Sequence, residues 1–240
     1  MYRFDSRFLR QFDSVTRQFT EPGEYYFYMA IHPHLSASPN LNSMASVEVD
    51  KKEADKPTQH RVKVEYDSAT HSFIAQPQKL TIRKGDTIQW HKPKEHSHGY
   101  FVKVIDKKGK PVFNSQELRN NAVFTHFFSH PGEYHYQNIL NESSQRPSIH
   151  VYQVDPSKED WQKLSTTPTL IKYKNGKFTP EEVKVPEGGT VIWFIEGEEP
   201  VAIQLTCYDL TPIDKSKIPR PPRGKKGCGP EQPPCNKKGY

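Results

Sequence analysis

The feature that most constrains the fold is that the chain repeats itself. The segment Phe4 to Phe27, FDSRFLRQFDSVTRQFTEPGEYYF, aligns without a gap on Phe113 to Tyr136, FNSQELRNNAVFTHFFSHPGEYHY, at an offset of 109 (113 − 4), with ten identities in 24 positions. A second offset of 103 (180 − 77) places PQKLTIRKGDTIQW, starting at Pro77, on PEEVKVPEGGTVIW, starting at Pro180. Gly85/Gly188, Thr87/Thr190 and Trp90/Trp193 coincide, and Leu80/Val183, Ile82/Val185 and Ile88/Val191 keep the apolar alternation. A unit of about 105 residues is therefore the period of organisation.

The period of two within each unit predicts strands. Leu80, Ile82, Ile88 and Trp90 alternate around a Lys84-Gly85-Asp86 turn, and Tyr134/Tyr136 and Ile149/Val151 do the same. By alternation Tyr25 and Phe27 fall on one face and Tyr26 and Tyr28 on the other, which makes the first pair core and the second available for contacts. Pro156 to Leu164 is the only short helix candidate. Short strands separated by turn signals predict an all-β chain of tandem sandwich repeats, one complete and two partial. The complete copy is 61–154, which alone carries both the head motif (P-x-x-L-x-I-x-x-G-D-T-I-x-W) and the tail motif (F-x-x-PGEYxY). Residues 1–50 are a tail without a head, and 170–210 a head whose tail gives way to the Pro/Gly/Lys-rich 211–240. The polar stretches 51–60 and 155–169 are expected to be linkers. A half-sandwich exposes strand edges, so the partial copies must borrow strands or stay poorly ordered. On this arrangement the chain is expected to be a fragment of a longer protein.

These motifs resemble the cupredoxin family of plastocyanin-like proteins and multicopper oxidase domains, so the expected fold is a set of cupredoxin-like Greek-key β-sandwich repeats. The resemblance covers Phe73 to Val154 fully and the flanking copies in part. It implies a ligand histidine after the head strand, where His98-Gly99-Tyr100 stands, then a cysteine, a second histidine and a methionine after the tail motif. Counting from Gly132 puts Asn138 at the cysteine position and Asn141 at the second histidine. The same count from Gly23 gives Met29 and His32, with Met44 near the methionine position, and in the third copy the first-histidine position is Val201 (98 + 103). No copy keeps the thiolate that a type-1 copper site requires, so no cofactor is expected. The pairs His32-Pro33-His34 and His96-Ser97-His98 fall short of the four pairs of a trinuclear oxidase centre. His96 and His98, with His91, are vestigial candidates for a rim-bound Cu(II) or Zn(II), and Met29, His32, His34 and Met44 for a Cu(I) cluster.

No G-x-S-x-G, Walker loop or G-x-G-x-x-G is present, so no enzyme activity is expected. Mean hydropathy of −0.86 and charges in every apolar run exclude a membrane-spanning helix. No signal peptide is visible from Met1 to Arg10. The net charge is +6, with basic runs at Lys107 to Lys110 and Arg220 to Lys238. Such a surface attracts acidic polymers, whereas no nucleic-acid-binding motif accompanies it. Cys207, Cys228 and Cys235 all lie in the last 34 residues. Cys228 and Cys235 flank a short Pro/Gly loop and are expected to form a disulfide, leaving Cys207 over; zinc is the rival use of the pair. Asn141-Glu142-Ser143 is the only glycosylation sequon, expected on an exposed loop. The reading is a non-enzymatic, secreted, extracellular-matrix-type protein that holds acidic matrix polymers or other matrix proteins. The alternative is a copper-binding protein or oxidase relative whose intact sites lie outside this chain.

Overall fold

The structure is a computed structural model that describes residues 4–31, 44–92, 98–141, 145–154 and 166–210. The described residues are nearly all strand. In chain order the elements are β1 (Asp13–Gln18), β2 (Gly23–Ala30), β3 (Ala45–Glu53), β4 (Gln59–Asp67), β5 (Ser72–Gln76), β6 (Lys79–Lys84), β7 (Thr87–His91), β8 (Phe101–Asp106) and β9 (Pro111–Asn114). They continue as β10 (Ala122–Phe128), β11 (Gly132–Asn138), β12 (Ser148–Tyr152), β13 (Thr169–Lys174), β14 (Lys177–Thr179), β15 (Glu182–Pro186), β16 (Gly189–Glu196) and β17 (Ile203–Leu210). The helix candidate Pro156 to Leu164 lies outside the described residues.

These strands make three sheets. One has eight strands in the order β14-β13-β16-β10-β1-β7-β4-β5, one has four (β15-β12-β11-β17) and one has five (β6-β3-β2-β8-β9). The five-stranded sheet covers the β1-β7-β4-β5 half of the long sheet, with Phe27 of β2 against Trp90 of β7 at 5.5 Å. The four-stranded sheet covers the other half, with Tyr136 of β11 against Trp193 of β16 at 5.5 Å. Two sandwich-like units thus share one continuous sheet. Trp90 and Trp193, matched in the sequence, are both fully buried at the centres of the two cores.

The strands of 61–154 are divided between the two units. β6 pairs with β3 and β7 with β1, while β10 pairs with β16 and β12 with β15. The sequence repeat and the sandwich are therefore offset by half a unit. Each tail motif packs on the head that follows it in the chain, and neither flanking copy stands alone. The stretch 51–60 is not a free linker, since β3 runs to Glu53 and β4 begins at Gln59.

The tail motif has a local reason. Gly23 and Gly132 both take positive φ, 154° and 156°, at the turn into β2 and β11. Tyr25 Oη donates to the Glu21 carbonyl at 2.9 Å and Tyr134 Oη to the His130 carbonyl at 2.9 Å. Each ring lies edge-on to the phenylalanine six residues earlier, Phe19–Tyr25 at 5.3 Å and Phe128–Tyr134 at 5.0 Å. The expected alternation holds: Tyr25 and Phe27 are buried, and Tyr26 and Tyr28 half-buried.

The junction between the units is a pseudo-two-fold axis. β1 and β10 run antiparallel with Val15 opposite Phe124, and 124 − 15 = 109 is the repeat offset itself. On its far side each pairs with the matching strand, Val15 with Trp90 and Phe124 with Trp193. The segments preceding β1 and β10 cross over. Ser115 exchanges hydrogen bonds with Val102, and Leu118 bridges to Val201; Ser6 exchanges with Ile203, and Leu9 bridges to Tyr100. Phe4 in this way enters the second core, within 6.3 Å of Phe124, Phe128, Tyr136 and Trp193, as its counterpart Phe113 stacks on Trp90 at 5.8 Å in the first. An isologous joint of this kind locks two units more firmly than a linker does.

One difference between the head motifs falls at the turn between their strands. Asp86 in the first unit corresponds to Gly189 in the second. A Cβ on Gly189 would lie 2.5 Å from Val185 Cγ1 and 2.7 Å from the Pro186 carbonyl oxygen. Gly189→Ala is expected to destabilise the chain by about 1–3 kcal/mol through overpacking, read as a lowered denaturation midpoint; an unchanged midpoint would show that Val185 and Pro186 yield freely.

Candidate functional site

The ligand positions implied by the sequence lie at the ends of β2, β8, β11 and β17. Asn138, at the cysteine position of β11, is 3% exposed and fully engaged. Its Oδ1 accepts from the backbone N–H of Ala202 at 3.0 Å and of Leu140 at 3.1 Å, and its Nδ2 donates to Tyr173 Oη at 3.0 Å. The side chain thus joins β11, the start of β17 and β13. Met29, at the corresponding position of β2, packs partly buried against the core opposite Val102.

A constant offset of 103 misplaces the first-ligand position. Leu9 bridges to Tyr100 and its counterpart Leu118 to Val201, so Val201 matches Tyr100 at an offset of 101. The loop after Trp193 is two residues shorter than that after Trp90, and no sequence signal marks the deletion. His98 accordingly falls opposite Glu199, not Val201. Tyr100 is wholly buried, with its ring 5.3 Å from Phe73. Burial, with a smaller contribution from Asp13, raises its phenol well above the ordinary tyrosine pKa.

His98 is exposed and lies 5.3 Å from the Tyr66 ring. His91 is half-buried on β7, its pKa lowered by burial and then by Arg61 and Lys63. His32, His34 and His96 lie outside the described residues, and Met44 lies beside the start of β3. Among the described residues no group of three or more His, Cys, Asp or Glu gathers.

Lys92 was not singled out from the sequence, where it reads as one more surface lysine. It is buried, donates from Nζ to the His98 carbonyl at 2.8 Å and lies 5.5 Å above the Phe73 ring. Burial, with Arg10 adding, lowers its pKa to about 8. It ties the loop containing His98 back onto the sheet. A second buried pair lies at the joint, where His126 Nδ1 meets Asp13 Oδ1 at 2.7 Å under the Phe4 ring. Burial raises the Asp13 carboxyl against the opposing hydrogen bond from His126. Across the pseudo-axis the counterpart of His126 is Arg17, which donates to the Asn120 carbonyl.

Asn141 is exposed, just beyond β11, as its sequon requires. Cys207 lies half-buried on β17 opposite His135. Cys228 and Cys235, and any bond between them, lie outside the described residues.

A cavity of about 970 Å³ opens at the seam between the units. Arg17, Lys103, Lys107, Lys108 and Arg119 line it together with Glu117 and Glu198. The β8–β9 turn forms one wall. Asp106 Oδ1 accepts from the Lys108 and Lys110 N–H groups at 2.8 and 2.9 Å, and Gly109 takes φ 80°. The other wall is held by Asn120, whose N–H donates to the Gly197 carbonyl at 2.7 Å, and by Arg119, which donates to the Glu198 carbonyl at 2.6 Å.

No protein-family model, no curated protein and no solved structure matches this chain.

Proposed function

We propose that this chain is a non-enzymatic, secreted structural protein of the extracellular-matrix type, built of cupredoxin-like units in which the copper ligands have been replaced, and that it acts as a rigid spacer holding acidic matrix polymers. The observation that carries the reading is the joint: a continuous eight-stranded sheet and two exchanged segments hold the units in one orientation. A large continuous joint suppresses relative motion of the units, which suits a load-bearing or surface-presenting element. The chemistry of Asn138 supports the loss of metal. A carboxamide with its oxygen accepting two backbone N–H groups serves as a structural tie and does not supply the thiolate of a blue-copper centre. The exposed Asn141 fits a glycosylating compartment.

The test is copper loading of the whole chain, since 61–154 contributes strands to both units. Metal content after chelator treatment is expected to be well below one ion per chain, with no visible absorption band. One copper per chain retained against the chelator would overturn the reading and make His98 and Met29 the first residues to replace.

A further inference from the structure

The basic cleft at the seam is not a consequence of the fold. The pseudo-two-fold axis would give both units the same surface, yet the stretch of β17 that matches the end of β8 reads Cys207-Tyr208-Asp209-Leu210, where the first unit has Ile105-Asp106-Lys107-Lys108. Five cationic side chains face two carboxylates in this cleft, and Lys107 and Lys108 are exposed on a turn pinned by Asp106. The turn belongs to one unit and the Arg119 wall to the other, so the joint sets the width of the cleft. Asn114, Asn120 and Asn121 add amides suited to hydroxyl and carboxylate groups. The aromatic rings of the lining are Tyr28, half-buried, and Phe113, buried, which leaves no open platform for stacking bases.

We propose that this cleft binds a strand of sulfated polysaccharide, with Lys103, Lys107 and Lys108 meeting sulfate groups and the asparagines meeting sugar hydroxyls. The proposal rests on the matrix reading above and names the site that would serve it. A compact ammonium on a flexible stem suits sulfates spaced irregularly along a chain, and the attraction falls as salt rises.

The test is binding of the full chain to immobilised heparin in physiological salt, with double-stranded DNA of equal total charge as the comparison. K107E/K108E is expected to weaken heparin binding at least tenfold and to flatten its salt dependence. K177E/K184E on the second unit and R223E/K225E near the C-terminus should each change it less than threefold. An unchanged thermal midpoint for K107E/K108E shows that the fold is intact. The proposal is overturned if the cleft variant binds as the unaltered chain does, if the two control reversals weaken binding equally, if DNA binds as tightly as heparin, or if the unaltered chain does not bind. Copper loading tests the matrix reading by a separate readout, so failure of the cleft and failure of that reading are distinguishable.

Discussion

Replacing Phe4 with alanine is expected to cost about 3–5 kcal/mol, the range for removing a fully buried aromatic ring from a packed core. The size follows from where the ring sits. Phe4 precedes the first strand by nine residues, yet it lies 5.4 Å from Trp193, 5.9 Å from Phe128 and 4.9 Å from His126. It fills the second core with a side chain contributed from the far end of the sequence. Denaturant unfolding followed by tryptophan emission should show a lowered midpoint. Leu170→Ala, at a side chain 49% exposed, should stay within about 0.5 kcal/mol of the unaltered chain. A Phe4 variant as stable as the Leu170 variant would show that the N-terminal segment does not anchor the second unit.

Replacing Asp86 with alanine is expected to cost about 3 kcal/mol, because its buried carboxylate accepts from several donors at once and its loss leaves part-buried N–H groups without that acceptor. Oδ1 accepts from Thr58 N–H at 2.7 Å, and Oδ2 accepts from Arg83 N–H at 3.0 Å and meets His60 Nε2 at 3.1 Å. Burial opposes ionisation of this group. The backbone hydrogen bonds from Thr58 and Arg83, with His60, outweigh it and hold the pKa below the ordinary aspartate value. The sign follows from linkage: a depressed folded pKa means that the unfolded chain binds the proton more readily. Its contribution to stability is therefore full above the unfolded aspartate pKa of about 3.9 and is lost as pH falls through the lower folded value. Asp86→Asn should accordingly cost more at pH 7 than at pH 3. Equal losses at the two pH values would show that charge plays no part in the tie.

The legible and illegible parts of the chain divide along physical lines. The PGEY motif could be read because its working parts are local: a glycine at positive φ, a tyrosine hydroxyl reaching a carbonyl four residues back, and a phenylalanine six residues back. Strand faces were legible for the same reason, since a period of two depends on neighbours in sequence. The pairing of tails with heads was not legible. Each tail could have joined the head before it or the head after it with equal local propensity, and the choice rests on packing between residues far apart. The misplaced first-ligand position has a related cause. A two-residue deletion in a loop leaves no mark on the motifs to either side, and the bridge from Leu118 to Val201 is what reveals it. Lys92 was missed because lysine is ordinarily a surface residue; its burial depends on the Phe73 ring beneath it and the His98 carbonyl beside it.

The sequence by itself determined that this is a β protein with an internal repeat and which residues of each strand face a core. Those properties follow from periodicity, turn chemistry and residue identity, all of which are written locally. Tertiary structure alone decided that the units exchange their leading segments about Val15 and Phe124, that Asn138 became a hydrogen-bonded tie, and that Arg17, Arg119 and the Lys107-Lys108 turn meet in one cleft. Each of these depends on contacts between segments roughly a hundred residues apart, where the geometry of the joint decides which side chains become neighbours.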